Sequence, residues 1–194
     1  MTALQGNSQM IDRKEASAAL SEINDMVQRV RQSRIYDQAS QIAIISGALV
    51  FTGNIANFFA PGYAFFIWPA VNVLNVVAVV AISLMQGTKA GIGTFDFRVL
   101  AAFLLFFAFG LLCSGLLGHF GPREMGTFWP IYFMLFYCIA GLWFGRAFLA
   151  IGLAITVLTL IGYFFITSAA FLLWMAVVNG GGLIVSGLWM RWGE

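Results

Sequence analysis

From residue 41 onward, the sequence consists of long apolar runs separated by short turns, and this pattern restricts the chain to very few folds. A helix needs about 20 apolar residues to cross a hydrocarbon core roughly 30 Å thick. Helices suit this task because their backbone polar groups are satisfied within the segment. We therefore predict an all-α integral membrane protein with six transmembrane helices. The predicted spans are 41–59, 64–85, 99–118, 127–145, 147–166 and 169–189.

Charge is concentrated at the N-terminal end of the chain. Ten of the 18 charged side chains (10 Lys and Arg, 8 Asp and Glu) lie within residues 1–40. The charged fraction of the whole chain is 9%, whereas a soluble domain carries about 25%. A net charge of +2 is too small for a nucleic-acid footprint, so we expect no nucleic-acid partner. We predict a cytoplasmic amphipathic helical segment over 1–40 and a six-span bundle over 41–194.

The distribution of basic residues predicts the orientation of the spans, because Lys and Arg are enriched in cytoplasmic loops. With the N-terminus in the cytoplasm, the outer side carries a single basic residue, Arg123. The cytoplasmic side then carries seven basic residues near the membrane: Arg29, Arg31, Arg34, Lys89, Arg98, Arg146 and Arg191. We therefore predict that both termini lie in the cytoplasm.

An aromatic and proline motif recurs along the chain. One copy comprises Phe59, Pro61, Trp68 and Pro69, and a second lies 61 residues later, at Phe120, Pro122, Trp129 and Pro130. A third copy aligns Trp174 with Trp68. We interpret the motif as three tandem helical hairpins, formed by spans 1–2, 3–4 and 5–6, with chance similarity as the alternative. The Trp-Pro pairs are expected in the first turn of a helix, where proline is tolerated.

The N-terminal segment carries a stripe of apolar residues at helical spacing. Leu20, Ile23, Val27 and Val30 follow one another in steps of three and four, which places them on one face of a helix. The opposite face carries charged residues, Glu22, Asp25, Arg29 and Arg31. Three interpretations remain open: the stripe binds a partner or a second copy as a short coiled coil, lies on the membrane surface, or folds back on the protein's own loops. We predict the first, with membrane lipid as an additional partner.

Five asparagines are the most conspicuous polar side chains in the predicted spans. They are Asn54 and Asn57 in the first span, Asn72 and Asn75 in the second, and Asn179 in the sixth. Buried amides in lipid usually form hydrogen bonds between helices, worth about 0.6 kcal/mol each. The alternative is a small polar cavity, in which Gly180–Gly182 allow a backbone or a ligand to approach closely.

His119 is the only histidine and lies at the predicted outer end of the third span. Because histidine titrates near neutrality, His119 is a candidate pH sensor, with a hydrated interface residue as the alternative. The two cysteines, Cys113 and Cys138, lack zinc-site spacing and lie at different predicted depths. We therefore expect no metal, no cofactor and no disulfide.

One segment of the sequence resembles a known family. The residues are Ile161-Gly162-Tyr163-Phe164-Phe165-Ile166, followed by Gly180–Gly182 and Ser186-Gly187. They are similar to the HdeD-type acid-resistance membrane proteins, at the level of architecture over residues 41–190. The charged N-terminal helix departs from that pattern. The resemblance implies a small, non-enzymatic bacterial membrane protein, which we expect in the inner membrane, and it carries over no catalytic residues.

Two functional hypotheses follow. No charged side chain lies in the middle of a predicted span, where pumps and ion-coupled carriers place them, and no catalytic constellation is present. We therefore predict a non-enzymatic accessory, scaffold or regulatory subunit that docks a protein partner or a second copy through its N-terminal helix. The alternative is a small channel or facilitator for a neutral solute, lined by the five asparagines.

Overall fold

The structure, a computed structural model, describes residues 2–89 and 97–192, and within these ranges every regular element is helical. The α-helices are α1 Thr2–Phe59, α2 Ala64–Lys89, α3 Phe97–Leu111, α4 Pro122–Phe144, α5 Arg146–Phe165, α6 Ala170–Met175 and α7 Gly182–Trp192. A 3₁₀ turn, Pro61–Tyr63, precedes α2. Two π-helical segments, Leu112–Leu117 after α3 and Ala176–Gly181 between α6 and α7, continue their helices. The all-α prediction is confirmed.

Several helical stretches are long and apolar enough to cross a membrane, as expected of a multi-pass membrane protein. Within the described residues there are five: Ser33–Phe59, Pro61–Met85, Pro122–Trp143, Arg146–Phe165 and Ala170–Trp192. A shorter apolar helix, Leu104–Leu117, corresponds to the predicted third span.

The ends of the helices differ from the predicted spans by a few residues. α4 begins at Pro122, five residues before the start of the predicted fourth span at 127. Proline suits this first position because the N–H that it lacks would have no partner within the helix. Pro69 and Pro130 lie inside α2 and α4, so the expectation that they occupy a first turn is wrong. Transmembrane helices tolerate such prolines because neighbouring groups satisfy the freed carbonyl. After the second predicted span, which ends at 85, the chain stays helical as far as Lys89, and residues 90–96 lie outside the described residues.

The turns are short and use unusual backbone angles. A single residue, Gly145, separates α4 from α5, and its φ of 134° lies where a side chain is disfavoured. His119 and Ser168 have positive φ values of 46° and 67° in the turns before α4 and α6. The helices therefore break at residue 145 and between residues 165 and 170, close to the predicted ends of the last three spans.

The chain forms two compact units, Met1–Tyr36 and Asp37–Glu194. The first is helical, and its described side chains from Ala19 onward are mostly exposed. Within the second unit, the α1 residue Ser40 is fully buried and its Oγ donates a hydrogen bond of 2.8 Å to the Gly187 carbonyl of α7. Gln38 of α1 donates to Ser83 Oγ of α2 at 3.2 Å. α1 therefore packs against both α2 and α7.

Glycines bring the α1 backbone unusually close to the last helical stretch. A β-carbon on Gly47 would lie 2.7 Å from the Gly180 carbonyl oxygen, and one on Gly187 would lie 2.8 Å from the Ser40 carbonyl oxygen. A β-carbon on Gly180 would lie 2.6 Å from the backbone nitrogen of Phe51. Because lipid tails are as apolar as the side chains, close van der Waals packing of this kind drives helix association in membranes.

A tryptophan packs on a glycine in each of three helix pairs. The pairs are Gly53 with Trp68, Gly110 with Trp129, and Gly162 with Trp174. The three tryptophans are those of the predicted repeat, and each lies near the start of the second helix of its pair. The interpretation of the repeat as three tandem hairpins stays a prediction.

Candidate functional site

The apolar stripe of the N-terminal unit is exposed in the structure. We call Leu20, Ile23, Val27 and Val30 the docking face. Their exposed fractions are 67%, 56%, 59% and 56%, and the neighbouring Met26 is 55% exposed. Each side chain therefore keeps more than half of its surface uncovered by the rest of the chain.

A shallow, open depression lies beside the docking face. It has a volume of about 380 Å³ and is lined by Met26, Val27, Val30 and Arg34. Three of these four side chains are apolar, and Arg34 adds a cation at the end nearest the predicted membrane. The depression can accept an apolar side chain from another molecule, but nothing in its lining is suited to covalent chemistry.

Three of the five asparagines direct their amide nitrogen to their own helix. Asn54 Nδ2 donates to Val50 O at 2.9 Å, and Asn72 Nδ2 donates to Trp68 O at 2.9 Å. Asn75 Nδ2 does the same to Val71 O at 3.1 Å. These three bonds therefore stay within one helix and do not join two, because the carbonyl one turn earlier is the nearest acceptor in an apolar surrounding.

Asn179 is the asparagine that contacts a neighbouring helix through a polar group. It lies in the π-helical segment Ala176–Gly181 and is 4% exposed. Thr159 Oγ1 of α5, itself fully buried, donates to Asn179 Oδ1 at 3.5 Å, and Asn179 Nδ2 lies 3.5 Å from Met175 Sδ. The distance between Thr159 and Asn179 is long for an O–H···O hydrogen bond, so this contact between helices adds little stability.

The asparagines are brought together only in part. The contacts of Gly53 with Val71 and of Gly180 with Phe51 place Asn54, Asn72 and Asn179 at neighbouring levels of three adjacent helices. The Oδ1 atoms of Asn57 and Asn75 are buried without a hydrogen-bond partner. A buried acceptor left unpaired costs about 1–3 kcal/mol. These two atoms are the polar groups of this region that a water or a solute could satisfy, and the polar cavity stays a prediction.

His119 occupies an exposed turn. It follows the π-helical segment Leu112–Leu117, and its positive φ is a conformation that non-glycine residues rarely adopt. Phe120 packs against the backbone of Gly118 beside it. The role of His119 as a pH sensor stays a prediction.

Cys113 and Cys138 are both free thiols of intermediate exposure. Among the residues that the structure describes, no group of three or more His, Cys, Asp or Glu side chains lies close enough together to hold a metal ion. Cys138 packs against Gly152 of α5, which gives this thiol an ordinary packing role.

Arg123 forms a site that the sequence analysis treated only as an indicator of orientation. Its Nη2 donates to the carbonyl oxygens of Tyr163 and Ile166 at the end of α5, the latter at 2.6 Å. Its guanidinium carbon also lies 5.4 Å from the ring centre of Tyr163 and 5.0 Å from that of Phe171. Arg123 therefore joins the start of α4 to the end of α5 and the start of α6.

A physical signal for this role was present in the sequence. Arg123 follows Pro122 at the start of a helix, where the helix dipole disfavours a cation. A cation in such a place is explained if it serves the C-terminal carbonyls of another helix, where the dipole favours it.

Comparison with known proteins supplies no function for these sites. Comparison of the chain with known protein families, with curated proteins and with solved structures finds no match.

Proposed function

We propose that this protein is a non-enzymatic membrane accessory, scaffold or regulatory subunit that docks a protein chain through the docking face, Leu20, Ile23, Val27 and Val30. The exposure of all four side chains is the observation that carries the proposal. Complete burial of such a side chain yields roughly 1.5–3 kcal/mol before the costs of association are subtracted. Four of them on one helix face are enough for a helix-in-groove or helix-pair contact.

The test is a comparison of two variants of the full chain in its native membrane. Changing the docking face with Leu20→Gln, Ile23→Gln, Val27→Gln and Val30→Gln keeps a good helix former at each position but removes the apolar surface. We expect the amount of docked protein recovered per chain after mild detergent extraction to fall on the order of tenfold or more. Such a fall corresponds to a loss of about 1.4 kcal/mol or more in binding free energy. Quantitative mass spectrometry measures the recovery.

The matched control changes the opposite face of the same helix. Glu22→Gln with Asp25→Asn removes two exposed charges and leaves the docking face intact. This variant should retain its bound chain. Equal recovery from the native chain and the docking-face variant would reject the proposed function.

We further propose that the second unit crosses a bacterial inner membrane six times, as three tandem hairpins, with both termini in the cytoplasm. The charge distribution supports this orientation, since Arg123 alone would lie outside. α3 and the π-helical segment after it together cover residues 97–117, a length of roughly 30 Å at 1.5 Å per residue. This length supports a sixth span.

A second candidate function is a facilitator for a small neutral solute, supported by the unpaired buried oxygens of Asn57 and Asn75. Glycerol uptake by liposomes, followed by stopped-flow light scattering, tests it. Asn72→Leu with Asn75→Leu should lower the permeability on the order of tenfold, because a solute crossing an apolar lining loses hydrogen bonds worth about 1–3 kcal/mol each. Thr52→Val, at an exposed position of α1, is the control. Permeability of the native chain no higher than that of empty liposomes would dismiss this function.

A further inference from the structure

We propose that the docking face binds the docking face of a second copy of this chain, as a parallel pair of helices in the same register. This inference rests on the proposed docking function and names the partner. It concerns Leu20, Ile23, Val27 and Val30, all of which are exposed in the single chain.

The spacing of the docking face fits pairing with another helix. The steps of three, four and three residues place Leu20 and Val27 at the a positions of a heptad, and Ile23 and Val30 at the d positions. In a pair of parallel helices, each a or d side chain packs into a hole formed by the facing helix. Four such layers cover two heptads.

The charges beside the docking face favour an identical partner over the bilayer surface. Between residues 19 and 30, the flanking e and g positions are Ala19, Asn24 and Met26, all uncharged and exposed. Two identical parallel helices therefore meet no like charges between these residues, and the paired stretch ends at Val30 because Arg34, at the next a position, would face its own copy. An interfacial membrane helix instead carries Lys and Arg on its polar face. Here Glu22 and Asp25 balance the charges of Arg29 and Arg31, so anionic lipid gains no net attraction to this face.

Attachment to the membrane compensates for the weak association expected of so short a docking face. Two heptads bury less than the roughly 1,200–2,000 Å² of a stable interface, so the helices alone would associate weakly. The apolar stretch Ser33–Phe59 begins three residues after Val30 in every copy. The shared bilayer then fixes the parallel direction and the register, and it raises the effective concentration of the partner helix.

Cysteine cross-linking of the full chain in its native membrane tests the pairing. Ile23→Cys and Val27→Cys place a thiol in the docking face, and Glu22→Cys and Asp25→Cys place one on the opposite face at nearly the same height. A water-soluble oxidant, tetrathionate, is added, and dimers are measured on non-reducing gels. We expect the docking-face thiols to cross-link on the order of tenfold faster, because only the facing positions meet disulfide geometry. The native chain, with Cys113 and Cys138 unchanged, measures the background.

Three outcomes overturn the pairing. Equal rates on both faces mean random collision. No dimer, combined with protection of the docking-face thiols from a water-soluble maleimide, means that the membrane surface covers the face. If no dimer forms and the glutamine variant described above no longer recovers a different protein, the docking face still docks a protein, but that protein is not a second copy. Fast cross-linking confined to the docking face supports the second copy.

Discussion

The Gly180→Ala variant is expected to be less stable than the Gly181→Ala variant, although the two changes are chemically identical and adjacent. A β-carbon at Gly180 would lie 2.5–2.6 Å from the backbone and Cβ of Phe51, whereas one at Gly181 would meet no heavy atom within 4 Å. Overfilling a packed contact costs about 1–3 kcal/mol. At Gly181, alanine instead gains about 0.5–1 kcal/mol from its helix preference.

The free energy of unfolding, measured by titrating the detergent-solubilised protein with sodium dodecyl sulfate, distinguishes the two. We expect Gly180→Ala to lower this free energy and Gly181→Ala to leave it unchanged or raise it slightly. The comparison tests the close approach of α1 to the last helical stretch, because Gly181 shares the π-helical segment and its backbone conformation with Gly180. Equal stability of the two variants would contradict that approach.

The Arg123→Met variant is expected to be less stable, because it loses the side-chain contacts that join α4 to α5 and α6. Methionine has a similar length but no donor, so the carbonyls of Tyr163 and Ile166 lose the guanidinium. Hydrogen bonds to a charged group contribute about 1.5–3 kcal/mol, and the same unfolding titration should show a loss of that size. Arg123→Lys should be intermediate, because an ammonium keeps the charge but not the planar fork.

The matched control for this variant is Arg191→Met. Arg191 is an exposed arginine in the last turn of α7. Its replacement removes the same charge and should lower the unfolding free energy by no more than about 1 kcal/mol, the upper value for an exposed cation at a helix C-terminus. If Arg123→Met and Arg191→Met had the same effect, the stabilisation would come from net charge and not from the contacts of Arg123.

The sequence predicted the helical class and most of the turns because apolar length and turn chemistry are local properties. The start of α4 at Pro122 was missed because residues 122–126 include Arg123 and Glu124 and therefore give no hydropathy signal. The asparagines were identified as buried polar groups. Their hydrogen-bond partners were not predicted, because an amide can donate either to a carbonyl of its own helix or to a neighbouring helix. The cation at the start of α4 signals a partner elsewhere, but the identity of that partner does not follow from it, because the accepting carbonyls lie about 40 residues away in the chain.

The hydrogen bond between Ser40 and Gly187 has a consequence for the order in which the protein is made. The two residues are separated by 147 positions in the chain. At a synthesis rate of about 5–20 residues per second, the first apolar helix waits on the order of 10 s or more in the bilayer before its final neighbour emerges. During that interval the buried surface of Ser40 and Gly47 faces lipid or an insertion factor, so assembly of the native bundle is completed only after the last helix has left the ribosome.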